Sequence, residues 1–352
     1  MTNGITINSS KGNYSINFFK NLEFNKFEQK AIIMDSYFEN KIDANKVIFV
    51  EASEKNKNLG TCETIVEKFK DLNVVRGDTV VAIGGGFIQD ISTLAASLYM
   101  RGIDWIFVPT TLTSMMDSCI GGKSSINVGT QKNLIGNFWP PSSIEIYPEF
   151  ITTLSQEDKI AGLSEAVKIC FAKGSESFNK FMENESKFTP GNNDSTSQLV
   201  LETLLSKKWF IEIDEFDKKE RKLLNFGHTY GHAIESATKF QLNHGVSVAI
   251  GMLAACNHPD SSSSPRIKEL IIYIVELLSH SKEYIDAAVG KIDWSIFQNQ
   301  ILSDKKNSTN EISLILPGEN SLEIKTFKKK DEELAKIQDS LIKAFGMVKN
   351  GI

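Results

Sequence analysis

The stretch Thr79-Val-Val-Ala-Ile-Gly-Gly-Gly86 is a short apolar run that ends in three glycines. An amphipathic helical pattern follows over residues 88–100. A strand, a glycine turn and a helix in this order can cradle a phosphate, because the N–H groups and dipole of a helix start favour an anion. The stretch is not Gly-x-Gly-x-x-Gly, and tight strand–helix turns also use glycines. It is therefore stronger evidence for a βαβ unit than for a bound ligand.

The rest of the first half repeats this alternation. Apolar runs at residues 31–34, 47–50 and 105–108 each end at a polar or turn residue, and residues 62–72 carry a helical pattern. Short apolar runs separated by helices are typical of a parallel sheet. We predict an α/β N-terminal domain over residues 1–150, with a Rossmann-like parallel sheet of the nucleotide-binding type.

From about residue 151 the strand pattern fades and amphipathic helices take over. The candidate helices are residues 156–172, 197–211, 223–239, 246–257 and 267–278. One late hairpin is predicted, in which residues 312–316 pair with residues 322–325. We predict that residues 151–352 form a mainly α-helical second domain.

Composition and charge exclude several classes of protein. The 352 residues suffice for two domains with cores, and 41% hydrophobic and 24% charged content is ordinary for a soluble globular protein. The net charge of -5 argues against nucleic-acid binding. The four cysteines are far apart and indicate neither a thiolate zinc site nor disulfides. No leader pattern and no run of the ~20 apolar residues of a membrane span occur, so we expect a cytoplasmic protein without a membrane partner.

Three of the five histidines lie close together, in Arg221-Lys-Leu-Leu-Asn-Phe-Gly-His-Thr-Tyr-Gly-His-Ala-Ile-Glu235 and in a following His244-Gly. Neutral imidazoles bind divalent cations, whereas Arg and Asn side chains grip oxyanions. His228 and His232 share one helix face at i and i+4, but a metal needs a third ligand from elsewhere. Such a pair alone is often only two polar residues on a helix. The nearby His244 favours a metal or phosphate site.

A polar stretch, residues 109–133, is dense in hydroxyls, glycines, amides and lysines. Such a loop can bind phosphate, and Asp117 in it could orient a ribose or sugar hydroxyl. Three apolar residues inside the stretch argue against an ordinary polar surface loop, which stays the alternative. Asp35 and Glu51 at strand ends could meet ribose hydroxyls, although such carboxylates are more often only solvated.

A series of motifs runs through the chain in a fixed order. They are Gly84-Gly-Gly-Phe-Ile-Gln-Asp90, Tyr99-Met-Arg-Gly102, Pro109-Thr-Thr-Leu112, residues 117–123, Lys132-Asn133, Glu165-Ala-Val-Lys168, Lys207, residues 221–235, His244-Gly and Asp304-Lys-Lys306. In this order they resemble the sugar phosphate cyclase family, and within it the 3-dehydroquinate synthases. The resemblance covers residues 35–306, most of the chain.

The resemblance implies a metal site and its ligands. The metal, normally zinc with cobalt as another option, would be held by Glu165, His228 and His244. His232 would then belong to the substrate phosphate. The simple pairing of His228 with His232 at helical spacing would therefore be wrong.

The resemblance also implies a substrate site for a small sugar phosphate. Four groups would surround the phosphate together with His232, namely Lys123, Asn133, Asn225 and one of Lys305 or Lys306. Arg101 would reach in from a neighbouring subunit, so a homodimer is expected. Lys207 and Arg221 resemble a carboxylate clamp. Lys168 and Asp117 resemble hydroxyl-binding groups beside the metal, and the groups with catalytic roles would be Asp117, Lys168, Asn225 and His232.

A third implied site holds NAD. The residues that would contact NAD are Gly84, Gly85, Gly86, Asp90, Thr110, Thr111, Asp117, Ser118 and Lys132. Asp35, Glu54 and Lys57 would lie near its adenosine end. NAD would take a hydride from the substrate and return it within one turnover, so that holding a single molecule in place is the main task.

The activity implied by the resemblance is conversion of 3-deoxy-D-arabino-heptulosonate 7-phosphate to 3-dehydroquinate and phosphate, by a carbon–oxygen lyase of the shikimate pathway. A cyclase of a neutral sugar such as sedoheptulose 7-phosphate is the alternative. A polyol dehydrogenase and a non-catalytic NAD- or metal-binding scaffold are more distant ones.

The sequence departs from the family pattern at three places. Gln89 stands where glycine is usual before the aspartate. Val246-Ser247 follow His244-Gly, where an acidic residue is usual, and Glu165-Ala-Val-Lys168 replaces the commoner Glu-Val-Ile-Lys. None removes an expected ligand, but together they suggest a divergent branch in which the substrate could differ.

Overall fold

The computed structural model describes residues 4–40, 45–129, 131–304 and 310–351. The chain divides into two compact units. The first comprises Met1–Leu154 and Asn184–Glu215, and the second comprises Ser155–Glu183 and Phe216–Ile352. The two continuous domains expected from the sequence, 1–150 and 151–352, do not include this return of the chain to the first unit.

The strands of the described residues fall into three sheets. Their bounds are β1 Ile5–Ile7, β2 Tyr14–Phe18, β3 Ile32–Asp35, β4 Val47–Val50, β5 Thr79–Gly84, β6 Asp104–Pro109, β7 Lys123–Val128, β8 Gln131–Phe138, β9 Ser143–Ile146, β10 Glu311–Pro317 and β11 Leu322–Lys328.

The α-helices lie between and after these strands. Their bounds are α1 Leu59–Asp71, α2 Gly86–Leu98, α3 Gln156–Lys173, α4 Ser175–Glu185, α5 Asn193–Ile213, α6 His228–Ala237, α7 His244–Cys256, α8 Pro265–Ser279, α9 Lys282–Val289, α10 Trp294–Ser303 and α11 Asp331–Asn350.

The first unit is built on a seven-stranded sheet in the order β1-β2-β9-β6-β5-β3-β4. All neighbouring pairs are parallel except β1 with β2. The interior strand β5 is buried from Val80 to Gly84, as an apolar run covered on both faces requires. The predicted Rossmann-like α/β fold is confirmed.

The polar stretch 109–133 is not one loop. Residues Ser114–Ser118 form a short π-helical turn, and β7 and β8 pair as an antiparallel hairpin. The pattern of apolar and polar residues in this hairpin is weak because β8 is largely exposed, so no strand is predicted there from the sequence.

The second unit is mainly helical, as predicted, and the late β10–β11 hairpin is confirmed. The helix predicted over residues 223–239 is interrupted. A 3₁₀ turn spans Glu220–Asn225, and α6 begins only at His228, because Gly227 has a left-handed φ of 78°. Within the described ranges, the helices are too short or too polar to cross a membrane.

Candidate active site

Glycines set the spacing of the helices that carry the histidines in the second unit. A Cβ atom on Gly245, next to His244, would overlap with Ala161 of α3. A Cβ on Gly231 of α6 would lie 3.1 Å from Val248 of α7. Because these positions lack side chains, the start of α7 packs directly on α3 and α6.

This packing forms a carboxylate–histidine cluster of Glu165, His228, His232 and His244. One ring nitrogen from each histidine lies within 4.8 Å of the others. Oε1 of Glu165 lies 3.4 Å from Nε2 of His244 and 4.0 Å from Nε2 of His228. The structure thus brings together the three expected ligands, and also His232.

The cluster suits a divalent cation. The Glu165 side chain is only 1% exposed, and its Oε1 accepts no hydrogen bond from the described residues. Burying a carboxylate oxygen without a donor is costly unless a cation satisfies it. One carboxylate oxygen and imidazole nitrogens are a donor set that zinc and similar metals prefer.

Two further charged groups hold the cluster in place. Lys168 forms an ion pair with Oε2 of Glu165, three residues earlier on α3. Oε2 of Glu235 lies 3.0 Å from Nδ1 of His244. Burial acts to lower the pKa of His244, but the hydrogen bond to Glu235 and the charges of Glu235 and Glu165 outweigh it and raise that pKa.

Glu235 had no assigned role in the sequence analysis. It follows His228 by seven residues, which is two helical turns, so it lies on the same side of α6. That spacing was a usable signal, because histidine ligands generally donate their other ring N–H to a carboxylate or carbonyl.

Arg221 and Asn225 lie in the 3₁₀ turn that precedes α6. Arg221 is buried, and the side-chain amide of Asn225 donates to the backbone oxygen of Lys222 at 3.1 Å. Both therefore belong to the second unit, whereas Lys207, the expected clamp partner of Arg221, belongs to the first.

The glycine turn after β5 is shaped by packing at its first two positions. A Cβ on Gly84 would overlap with Ile88, and a Cβ on Gly85 would lie 2.9 Å from Cγ2 of Thr111. At Gly86 the nearest atom is Ser118 Oγ at 3.6 Å. The start of α2 is thus open at Gly86, as an approaching diphosphate requires.

A second group in the first unit links residues expected to contact NAD with one expected to contact phosphate. Nζ of Lys57 lies 2.7 Å from Oδ2 of Asp90 and donates to Oδ1 of Asn133 at 2.9 Å. The backbone N–H of Ser125 donates to Oδ1 of Asp90 at 2.9 Å. Burial raises the pKa of Asp90, while the charge of Lys57 opposes that rise.

The expected adenosine-end residues have local partners. Glu54 accepts from the side chain of Asn127 at 2.9 Å and lies 3.5 Å from Nζ of Lys132. Asp35 caps the turn after β3 by accepting from the N–H of Tyr37 at 3.0 Å.

Asp117, at the π-helical turn, pairs with Lys207 of α5. Its Oδ1 lies 2.6 Å from Nζ of Lys207, which also donates to the backbone oxygen of Asp117. Thr111 lies beside the same turn, where its hydroxyl is 2.9 Å from that of Ser114, and Thr110 is buried at the end of β6.

The remaining residues that are expected to bind the substrate phosphate either are exposed or lie outside the described residues. Arg101 and Lys123 are exposed, and Arg101 follows Met100 in a left-handed turn with φ values of 70° and 48°. Lys305 and Lys306 lie outside the described residues.

Solved structures of known proteins share this fold. The chain shares its fold with a 2-deoxy-scyllo-inosose synthase solved with carbaglucose-6-phosphate, NAD+ and Co2+, at 20% identity and a TM-score of 0.76, covering 99% of this chain and 100% of that one. A 2-epi-5-epi-valiolone synthase from Streptomyces hygroscopicus subsp. jinggangensis, solved with NAD+ and Zn2+, gives 21% identity and a TM-score of 0.71, covering 94% and 96%. Both neighbours are sugar phosphate cyclases, and at these identities the likeness shows a shared fold.

The particular family follows from sequence comparison. Residues 47–161 match the family model described as 3-dehydroquinate synthase N-terminal, and residues 162–307 match the 3-dehydroquinate synthase C-terminal model. A 3-dehydroquinate synthase of Clostridium tetani is 34% identical over 302 residues, which cover 84% of this chain and 79% of that protein. The chain belongs to the 3-dehydroquinate synthase family.

Proposed function

We propose that this chain is a carbon–oxygen lyase that converts 3-deoxy-D-arabino-heptulosonate 7-phosphate to 3-dehydroquinate and phosphate. The observation that carries the proposal is the buried Oε1 of Glu165, which accepts no hydrogen bond within the described ranges and lies beside the nitrogens of His228 and His244. It occurs in a chain whose two halves match the two family models.

NAD and a divalent metal, zinc or cobalt, are the proposed cofactors. Glu165, His228 and His244 would hold the metal, and the glycine turn with Asp90, Thr110 and Thr111 would hold NAD. When bound, the two cofactors supply hydride acceptance and acidification of a coordinated hydroxyl.

The chain's own residues bind and orient the substrate. Lys168 pairs with the second oxygen of the Glu165 carboxylate and so fixes its orientation. Asp117, held at one oxygen by Lys207, accepts a hydrogen bond from a substrate hydroxyl. His232 is exposed and takes the phosphate, and the buried guanidinium of Arg221 takes the substrate carboxylate.

The test of this proposal is turnover of the heptulosonate phosphate with substoichiometric NAD, following phosphate release and ring formation. Many turnovers per NAD are expected, because each hydride returns to the substrate. The Glu165→Gln variant is the matched control and should release no phosphate. Accumulation of NADH in step with product would contradict the proposal and indicate a dehydrogenase.

One observation favours a second candidate, a cyclase of a neutral sugar phosphate. Lys207 already pairs with Asp117 within the first unit. One of the two clamp cations therefore has an anionic partner before any substrate carboxylate arrives. The choice between the two substrates depends on Arg221.

We also propose a cytoplasmic homodimer in which Arg101 completes the phosphate site of the partner. The exposure of Arg101 in a left-handed turn supports this role, because two successive non-glycine residues with positive φ are costly to hold without a reason. Sedimentation should give a dimer. Activity regained by mixing Arg101→Ala subunits with Lys168→Ala subunits would show a shared site, and a monomeric active enzyme would refute it.

A further inference from the structure

Gln89 is the departure from the family pattern that lies closest to the glycine turn. It sits in the first turns of α2 and is 3% exposed. Both polar atoms of its side-chain amide form hydrogen bonds with Ser118. Nε2 donates to the backbone oxygen of Ser118 at 2.7 Å, and the Ser118 hydroxyl donates to Oε1 at 2.6 Å. A buried amide bonded in this way is a rigid link between α2 and the turn Ser114–Ser118.

The direction of these hydrogen bonds is fixed by chemistry. The backbone oxygen of Ser118 can only accept, so the NH₂ end of the Gln89 amide must face it. Oε1 then faces the Ser118 hydroxyl, which must donate its single proton to Gln89. Only lone pairs remain on Ser118 Oγ. They can accept a hydrogen bond, but they cannot donate one to an anionic oxygen.

The commitment of the Ser118 proton to Gln89 matters for ligand binding because of where the Ser118 hydroxyl lies. Ser118 Oγ is the atom nearest to a Cβ built on Gly86, at 3.6 Å, so it lies at the open start of α2. A hydroxyl with a free proton would bind a phosphate oxygen here. An oxygen that presents only lone pairs repels a phosphate oxygen. It can instead accept a hydrogen bond from a donor, such as a water molecule or a ribose hydroxyl.

The same link acts on Asp117, the residue before Ser118. Lys207 holds the Asp117 carboxylate at 2.6 Å, and Gln89 holds the adjoining backbone. We propose that Gln89 is a positioning residue that fixes the turn bearing Asp117 and withdraws the Ser118 hydroxyl from anion binding. The inference rests on the proposed function because it takes NAD as the occupant of the turn.

A double-mutant cycle with Gln89→Met and Ser118→Ala tests the proposal, with NAD affinity measured by calorimetry. Met has a similar volume and no amide to accept the hydrogen bond, so the Ser118 hydroxyl becomes able to donate to a ligand. In the parent, Ser118→Ala should change the Kd for NAD less than about twofold. In the Gln89→Met background, Ser118→Ala should raise the Kd for NAD about tenfold, as loss of a hydrogen bond to a charged group does. Equal effects in the two backgrounds would overturn the inference.

Thermal unfolding of the same four proteins without NAD provides a second readout. Ser118→Ala should lower the Tm of the parent but not that of Gln89→Met, and additive changes would refute the link. Gln298→Met removes an amide hydrogen bond in the second unit and is the matched control, with no change in NAD affinity expected. NAD binding with coupling between Gln89 and Ser118, but without turnover, would contradict only the proposed function. Turnover without this coupling would contradict only the present inference.

Discussion

Nδ1 of His244 lies 3.0 Å from Oε2 of Glu235, while Nε2 of the same ring faces Oε1 of Glu165 at 3.4 Å. The carboxylate of Glu235 therefore orients the imidazole and favours the tautomer whose Nε2 lone pair is available to a metal. Glu235→Gln and Glu235→Ala should weaken divalent metal binding about 10–100-fold, measured by competition with a chelator. Glu269→Gln, at an exposed position of α8, is the control. Unchanged metal affinity in both Glu235 variants would rule this role out.

Metal content should separate the members of the carboxylate–histidine cluster. Glu165→Gln, His228→Ala and His244→Ala should each lose bound metal, because each removes one ligand. His232→Ala should keep the metal and lose phosphate handling, although its ring nitrogen lies in the same group. Metal analysis of the purified variants checks this. Loss in His232→Ala with retention in His244→Ala would reverse the two assignments.

Substrate choice should depend on Arg221. If its buried guanidinium binds the substrate carboxylate, sedoheptulose 7-phosphate, which has no carboxylate, lacks that charge-assisted contact. A charge-assisted pair contributes about 1.5–3 kcal/mol, so a preference of at least ~10-fold for the heptulosonate phosphate is expected in kcat/KM. Arg221→Ala should erase most of the preference and leave metal content unchanged. Equal kcat/KM for both sugars in the parent would favour the neutral-sugar cyclase.

Close helix packing should make Gly245 intolerant of any side chain. Its Cβ would overlap with Ala161 backbone atoms, so Gly245→Ala should lower the free energy of unfolding by about 1–3 kcal/mol and disturb the neighbouring His244. A Cβ on Gly346, within α11, meets no atom of the described residues within 4 Å, so Gly346→Ala should instead stabilise the protein by up to about 1 kcal/mol. Denaturant unfolding measures both, and equal effects would contradict the packing argument.

The pH dependence of stability should reflect His258. Its Nδ1 accepts from the N–H of Asp260 at 3.2 Å, and its buried Nε2 has no hydrogen-bond partner among the described residues. Burial lowers the pKa of His258 below the ordinary 6.5. The unfolded chain therefore takes up a proton near pH 6.5 while the folded protein does not, so stability falls as the pH drops below that value.

The expected slope is at most about 1.4 kcal/mol per pH unit for this one group. In His258→Asn the amide oxygen can replace Nδ1 as the acceptor and does not titrate, so the loss of stability from about pH 7.5 to about pH 5.5 should be smaller than in the parent. His280→Gln, at an exposed position, should behave as the parent does. The same pH dependence in all three proteins would exclude His258.

The sequence predicted the parts of the fold that rest on strong periodicity. The strand that ends at Gly84 and the helices α3 and α8 lie within a few residues of their expected bounds. The strand and most of α3 are buried on all sides, and α8 buries one apolar face. It missed the β7–β8 hairpin, whose strands are partly exposed, and the break before His228, which depends on the backbone angle of a single glycine.

The site was predictable in part. Local spacing and family motifs identified the residues of the carboxylate–histidine cluster. They gave no indication that the Ser118 proton is committed to Gln89 or that Lys207 is paired with Asp117. Such contacts join segments far apart along the chain, and residue type alone does not reveal which donor meets which acceptor.

The return of Asn184–Glu215 to the first unit has a consequence for biosynthesis. A ribosome delivers the chain from its N-terminus, and domains that are continuous in sequence can fold as soon as they emerge. Here the seven-stranded sheet is complete at β9, yet helix α5, with the Lys207 that holds Asp117, emerges only after all of α3. Maturation of the first unit must therefore wait until part of the second has been translated. A nascent chain stalled near residue 160 would have all seven strands of the sheet but would lack helix α5, leaving an incomplete unit for a chaperone to protect.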